Sequence, residues 1–326
     1  MKKAPGKSHR EGISIIDLME IFPDEETATK WFESQVWPTG RCCGHCGSIS
    51  TREVPNAKPM PYWCTDCRSY FSVRTGTAIA RSKIPLRKWA IAIYLCLTSL
   101  KSVSSMKLHR DLKITQKSAW FMLHRLREAW AHELGAKYSG PVEVDEAYFG
   151  GKKENTTPAR RAKMKGRGVS GKTAVVGAKD RESNRVSAKV VDSTGKQTLQ
   201  KFVIDHVAPG SAVYTDEHGS YIGIPYEHES VKHSVGEYVR GQVHTNGVES
   251  FWSTLKRAHK GTFHKMSPKH LDRYVQEFAG KHNIRNADTA QQMTAVAAGL
   301  VGRRLMYSQL IAPNGRDSGA RPIADE

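Results

Sequence analysis

Three acidic residues in three different local settings could hold divalent cations for phosphodiester chemistry. Asp145 lies in the β-type run Val142-Glu143-Val144-Asp145-Glu146-Ala147-Tyr148-Phe149, and Asp216 ends Ala212-Val213-Tyr214-Thr215-Asp216. Glu249 falls in the first turn of a helix expected from His244-Thr245-Asn246-Gly247-Val248-Glu249 onward. Carboxylates carried by a strand, a strand end and a helix start can converge on two cations, as in-line attack on a phosphodiester requires. A carboxylate flanked by Val144 and Ala147 is costly unless it is paired or coordinated. Each acid has a local rival. Glu143 shares a strand face with Asp145, Glu217 follows Asp216, and Asn246-x-x-Glu249 fits a capping box in which Thr245 is the other possible cap. Lys256 lies two turns beyond Glu249 on the same helical face, placed to hold a phosphate or simply to be a surface lysine.

A second constellation is Cys43-x-x-Cys46 and Cys64-x-x-Cys67, two knuckles seventeen residues apart. Four thiolates on two tight turns suit tetrahedral zinc in a closed, structural site. Cys42 reads as a bystander, and Cys96, alone in an apolar run, as a small buried hydrophobe.

The elements that must position these groups can be outlined from periodicity. Residues 12–35 read as a helical lead-in and residues 84–135 as three helices, the second and third separated by Lys113-Ile114-Thr115, a helix-turn-helix spacing. On the third helix Lys117, Ser118, His124, Arg125 and Arg127 lie off the apolar stripe; Lys117 and Arg125 are the expected DNA contacts there. Strands follow at Val142–Phe149, Thr173–Ala178, Arg185–Val191 and Ala212–Thr215, with a hairpin turn at Asp180–Asn184, a helix at Thr198–His206 and a further short strand near Ser230–Ser234. That order makes a mixed α/β sheet. The stretch from Lys152 to Lys172 carries Lys152, Lys153, Arg160, Arg161, Lys163, Lys165 and Arg167 and leaves the strand that bears Asp145, so it could clamp a substrate backbone. Residues from Ala312 onward read as a mobile tail.

The whole chain has 326 residues, with 50 Lys and Arg against 32 Asp and Glu, a net charge of +18. Such an excess favours a polyanion, nucleic acid first. No apolar stretch approaches the roughly 20 residues that span a bilayer, and the basic N-terminus lacks the apolar segment of a secretory signal. The expected setting is cytoplasmic, with association to the nucleoid.

Taken with Trp37-Pro38 before the knuckles, Val144-Asp145-Glu146-Ala147-Tyr148-Phe149-Gly150-Gly151-Lys152, Gly166-Arg167-Gly168, Gly171-Lys172, His244-x-Asn246-Gly247-Val248-Glu249-x-Phe251-Trp252-x-x-Leu255-Lys256-Arg257, Gly261-Thr262-Phe263-His264 and Lys269-His270-Leu271-x-Arg273-Tyr274-x-x-Glu277-Phe278, the chain resembles the bacterial insertion-sequence transposases of the DDE type that carry an N-terminal zinc ribbon. The resemblance spans about residues 12–290. It implies a helical lead-in (1–36), a zinc ribbon (37–80), a helix-turn-helix-like DNA-binding segment (81–138), a ribonuclease H-like catalytic core (139–290) and a C-terminal helix with tail (291–326). It places the metal-binding triad on Asp145, Asp216 and Glu249, with Lys256 as basic partner and Asn246 close enough to share the third position. It implies catalytic Mg²⁺ or Mn²⁺, structural Zn²⁺, terminal inverted repeats and target DNA as partners, and a dimer or larger synaptic assembly without a membrane. A DNA-binding regulator that uses only the ribbon and the helices is the rival expectation.

Overall fold

The structure, a computed structural model, describes residues 10–130, 135–151, 158–163, 171–231 and 243–318. In chain order its helices are α1 (Ile15–Ile21), α2 (Glu25–Val36), α3 (Leu86–Thr98), α4 (Ser105–Leu112), α5 (Gln116–Arg127), α6 (Pro158–Lys163), α7 (Lys196–His206), α8 (Asn246–Ala258), α9 (Leu271–Asn283), α10 (Thr289–Gly299) and α11 (Tyr307–Ile311). Its strands are β1 (Thr51–Glu53), β2 (Tyr62–Cys64), β3 (Ser69–Phe71), β4 (Val142–Phe149), β5 (Thr173–Asp180), β6 (Val186–Val191), β7 (Ala212–Thr215) and β8 (Glu227–Ser230). They form two compact units: residues 1–131 with 284–312, and residues 132–283 with 313–326.

In the first unit β1, β2 and β3 make a small antiparallel sheet around the cysteine knuckles. Helix starts follow their caps. Ser14 and Asp17 form a reciprocal capping box on α1, Asp24 caps α2, and Ser104 and Thr115 cap α4 and α5. Between α4 and α5 the chain turns at Lys113, in the left-handed region at φ 48°. One core joins Leu18 and Phe32 from the lead-in, Trp89 and Ile93 from α3, Leu108 from α4, Met122 from α5 and Val296 from α10. The C-terminal helix expected from residue 291 has an apolar face that packs into the core of the first unit.

The second unit is a five-stranded mixed sheet in the order β6-β5-β4-β7-β8. β4 runs antiparallel to β5 and parallel to β7, and β7 parallel to β8. Alternation along the strands divides its apolar residues between two faces. Val142, Val144, Val176 and Ala178 meet Leu199, Val203 and Tyr221 on the α7 side. Ala147, Phe149, Val175 and Ala188 meet Trp252, Leu255, Val275 and Phe278 on the side of α8 and α9. The sheet is thus sandwiched between helices.

β7 ends at Thr215, as its sequence indicates. Among the described residues the last strand is Glu227–Ser230; the expected strand near Ser230–Ser234 lies, from residue 232, outside them. The described tail residues have partners within the second unit. Asp317 accepts from the Lys269 amide at 3.1 Å, Asn314 donates to the Lys269 carbonyl at 3.0 Å, and Arg316 pairs with Asp192 at 2.6 Å. Among the described residues no helix is long and apolar enough to cross a membrane.

Candidate active site

Sheet register brings the first two acids together. β4 and β7 pair Val142 with Val213 and Glu143 with Tyr214; two places further, Asp216 stands abreast of Asp145. Because β7 has run out there, the sheet no longer separates its two faces, and Glu146 reaches the same spot. Carboxylate oxygens of Asp145, Glu146 and Asp216 lie within 4.8 Å of one another.

Helix α8 supplies the third acid. Its Trp252 lies over Gly177, where a β-carbon would come within 2.6 Å of the indole. Gly177 is the cross-strand partner of Asp145, so this contact seats α8 beside the acids. From Trp252, Glu249 is three residues back and Lys256 four residues on, which puts both on one side of the helix. Asp145, Asp216, Glu249, Trp252, Ser253, Lys256, Arg257 and Lys260 line one pocket of about 570 Å³. Thr245 precedes the helix and donates its hydroxyl to Glu249 Oε1 at 2.8 Å, while Asn246 is the first helical residue and is exposed.

Glu143, the local rival of Asp145, is occupied elsewhere. It is 1% exposed; its Oε1 accepts from Arg181 Nε at 2.8 Å and its Oε2 from the Val248 amide at 2.9 Å. Arg181 also donates to the His244 carbonyl at 2.7 Å and stacks on Tyr214. Glu143 thereby ties the start of α8 to β4. Gly247 permits the approach, since a β-carbon there would come within 2.7 Å of Glu143 Oε2.

Electrostatics mark Asp145 and Glu146 as a strained pair. The Asp145 carboxyl is pushed up to about 7, first by burial and then by Asp216 and Glu146, with Glu249 adding to the effect. Glu146 is also pushed up to about 7, mainly by burial and against the hydrogen bond that it accepts from Tyr221. Clustered, half-buried carboxylates of this kind are stable when they share protons or hold a cation. The donor set, oxygens only, suits a hard divalent ion. Glu146, Arg257 and Lys260 are the site residues that sequence reasoning did not single out. The two cations were findable: Arg257 is one residue beyond Lys256, and Lys260 is one turn further along the same stripe. Glu146 was not, because strand alternation assigns it to the other face.

The basic residues separate into groups. Lys117 is exposed in the first turn of α5, its ammonium 4.6 Å from the centre of the Tyr307 ring. Arg125, expected to contact DNA, is 8% exposed and gives its guanidinium to the Ala80 and Leu305 carbonyls; it holds the fold, as α5 is buried around much of its circumference from Met122 to Arg127. His124 and Arg127 are buried with it. Arg160, Arg161 and Lys163 fall on α6, with Arg161 exposed. Lys152, Lys153, Lys165 and Arg167 lie outside the described residues.

The four cysteines also converge. Cys43, Cys46, Cys64 and Cys67 offer sulfurs within 4.8 Å of one another, with Cys43 and Cys67 at 3.6 Å and Cys46 and Cys64 at 3.7 Å. Tetrahedral zinc with bonds of about 2.3 Å sets its sulfurs about 3.8 Å apart. The Cys64 thiol is lowered to about 7, first by the Cys67 amide, whereas burial raises those of Cys43 and Cys67; it is the sulfur geometry that suits a metal.

Residues 137–283 match the family model described as the ISXO2-like transposase domain. An uncharacterised protein in the transposable element ISH50 of Halobacterium salinarum is 26% identical over 281 residues, covering 82% of this chain and 93% of that protein. An uncharacterised transposase-like protein of Haemophilus influenzae is 27% identical over 113 residues, 34% of this chain and 89% of that one. Among solved structures, a chain in the simian T-cell lymphotropic virus intasome complex with the PP2A regulatory subunit B56 gamma aligns over 59% of this chain and 65% of its own, at 13% identity and a TM-score of 0.29; a likeness so loose carries no inference. The acids gathered by β4, β7 and α8 all fall inside the matched segment, and over residues 137–283 the chain is similar to the ISXO2-like transposase domain of insertion-sequence transposases.

Proposed function

We propose that the protein binds the terminal inverted repeats of an insertion sequence and catalyses metal-dependent strand cleavage followed by strand transfer. The observation that carries this reading is the meeting of Asp145, Asp216 and Glu249 with Lys256, Arg257 and Lys260 around one pocket. In this reading the mixed sheet is a ribonuclease H-like core.

Asp145, Asp216 and Glu249 would hold Mg²⁺ or Mn²⁺, with Glu146 alongside. When bound, a pair of such ions supplies Lewis acidity to the attacking and leaving oxygens of an in-line displacement. The chain's own residues do the rest. Lys256, Arg257 and Lys260 hold the phosphates flanking the scissile bond in register with the acids. Glu143 and Arg181 keep the start of α8, and so Glu249, at its place on the sheet. Attack by water leaves a 3′-hydroxyl on the element end; the same pocket then offers that hydroxyl to a phosphodiester of target DNA. Each step exchanges one P–O bond for another, so no covalent link to the protein forms. Cys43, Cys46, Cys64 and Cys67 hold structural Zn²⁺ that folds the ribbon. Terminal sequence is read from the exposed first turn of α5, where Gln116 and Lys117 stand, in the manner of a recognition helix that presents its N-terminal residues to base edges. Two element ends must be joined, which calls for a dimer or larger assembly.

A joining assay separates this reading from its rivals. Duplexes carrying the element ends, incubated with the protein, Mg²⁺ and a circular target, are expected to yield joined products. Nicked ends that never join would point to a nuclease alone, and binding without scission in Mg²⁺ or Mn²⁺ to a DNA-binding regulator.

A further inference from the structure

A second charged feature lies in the first unit. A groove of about 1050 Å³ runs between the first cysteine knuckle, the segment from Ser72 to Ser82, and residues 302–306. Its construction is specific. The knuckle residue Gly44 approaches so closely that a β-carbon would come within 2.3 Å of the Thr75 carbonyl. The Gly302 amide donates to the Gly76 carbonyl at 2.8 Å, the Ala78 amide to the Leu300 carbonyl at 2.9 Å, and Thr77 bridges to Val301. The chain that returns from the second unit is thus sewn onto the ribbon's neighbour.

Arginines of two kinds line this groove. Arg74 donates to the Ser82 and Ile84 carbonyls at 3.1 and 2.7 Å, and Arg125 to those of Ala80 and Leu305; these two shape its walls. Arg68, Arg81 and Arg304 are exposed. No acid is among the lining residues. Exposed guanidiniums on a concave wall, with no carboxylate among its described lining residues and with serine and threonine hydroxyls between them, match a row of phosphates.

We infer that this groove is a duplex-DNA backbone site, built jointly by the ribbon and the 300–306 segment and independent of the first turn of α5. The inference rests on the reading of the protein as a DNA-binding transposase and adds where the backbone is held. Because its contacts would be to phosphates, it contributes affinity without base preference, and its contribution falls with salt.

The test is fluorescence anisotropy of the full zinc-loaded chain with a labelled random-sequence duplex across a salt series. Three proteins are compared with wild type: Arg68→Gln/Arg81→Gln/Arg304→Gln, the same three positions changed to Lys, and a control with equal loss of charge, Lys30→Gln/Lys58→Gln/Lys189→Gln. Loss of three phosphate contacts is expected to make the slope of log K against log salt shallower by about 2.7 in the Gln variant. The Lys variant, which keeps the charge, is expected to retain most of the slope, and the control all of it. Matching thermal unfolding curves exclude misfolding as the cause. A Gln variant that binds like the control overturns the groove while leaving the transposase reading intact. A wild-type protein with no salt-dependent affinity for duplex DNA overturns the reading on which the groove rests.

Discussion

Asp145 and Glu146 are the residues at which burial works hardest against ionisation. Both carboxyls are pushed up to about 7, with burial the largest cause. Between their unfolded values and about 7 the folded chain holds more protons than the unfolded one, so stability of the metal-free protein falls as pH rises through that window. Thermal unfolding without metal is expected to show a lower melting temperature at pH 8 than at pH 5.5. Mg²⁺ or Mn²⁺ should restore more at pH 8, where no proton competes; a metal-induced shift larger at pH 5.5 would count against these acids as the ligands. Glu143 has the opposite role. Replacing it by Ala removes the ion pair of Arg181 and the acceptor of the Val248 amide, at a cost of about 3 kcal/mol for a broken buried pair. Denaturant unfolding would measure that loss, and cleavage should weaken along with it because α8 loses its tie to β4.

At the scale of elements, the site depends on how closely α8 lies on the sheet. Gly177 makes room for Trp252, and Gly247 for Glu143. Gly177→Val would push the indole outward and lift Glu249 away from Asp145, so we expect overpacking of about 1–3 kcal/mol together with a loss of cleavage out of proportion to the loss of stability, measured on folded protein well below its melting temperature. The strands that carry the acids were legible from alternation and β-branched runs, and β7 lies where its apolar residues placed it. Lys256 was legible from helical periodicity. What periodicity could not convey is what a side chain meets across a unit. Arg125 reads as polar surface on a helical wheel, yet α5 is covered on several sides and Arg125 bonds to the carbonyls of Ala80 and Leu305. Glu146 belongs to the far face by alternation and reaches the site only because β7 stops short. Glu143 and Asp145 could be told apart only by the partners that Glu143 has from β5, its turn and α8.

At the scale of the molecule, the chain is interleaved rather than strung out: the second unit is inserted before α10, which returns to the core shared by α1, α2 and α3. Linear reading puts a boundary near residue 290, with a helix and then a tail after it, because nothing local says which core an amphipathic helix will join. Interleaving couples the cysteines to the chain's end. Chelation of the ribbon's metal, or Cys64→Ser, is expected to destabilise the whole first unit, α10 included, which hydrogen exchange would report as loss of protection at residues 289–299 as well as 43–71. Protection lost at the ribbon alone would mean that the two are not one folding unit. The central claim, that Asp145, Asp216 and Glu249 form a metal-dependent scission site, is tested most directly by cleavage of a duplex carrying the element ends in Mg²⁺, comparing wild type with Asp145→Asn at equal DNA occupancy. Scission is expected to fall by roughly three orders of magnitude or more with binding unchanged; an Asp145→Asn protein that cuts within tenfold of wild type would contradict it.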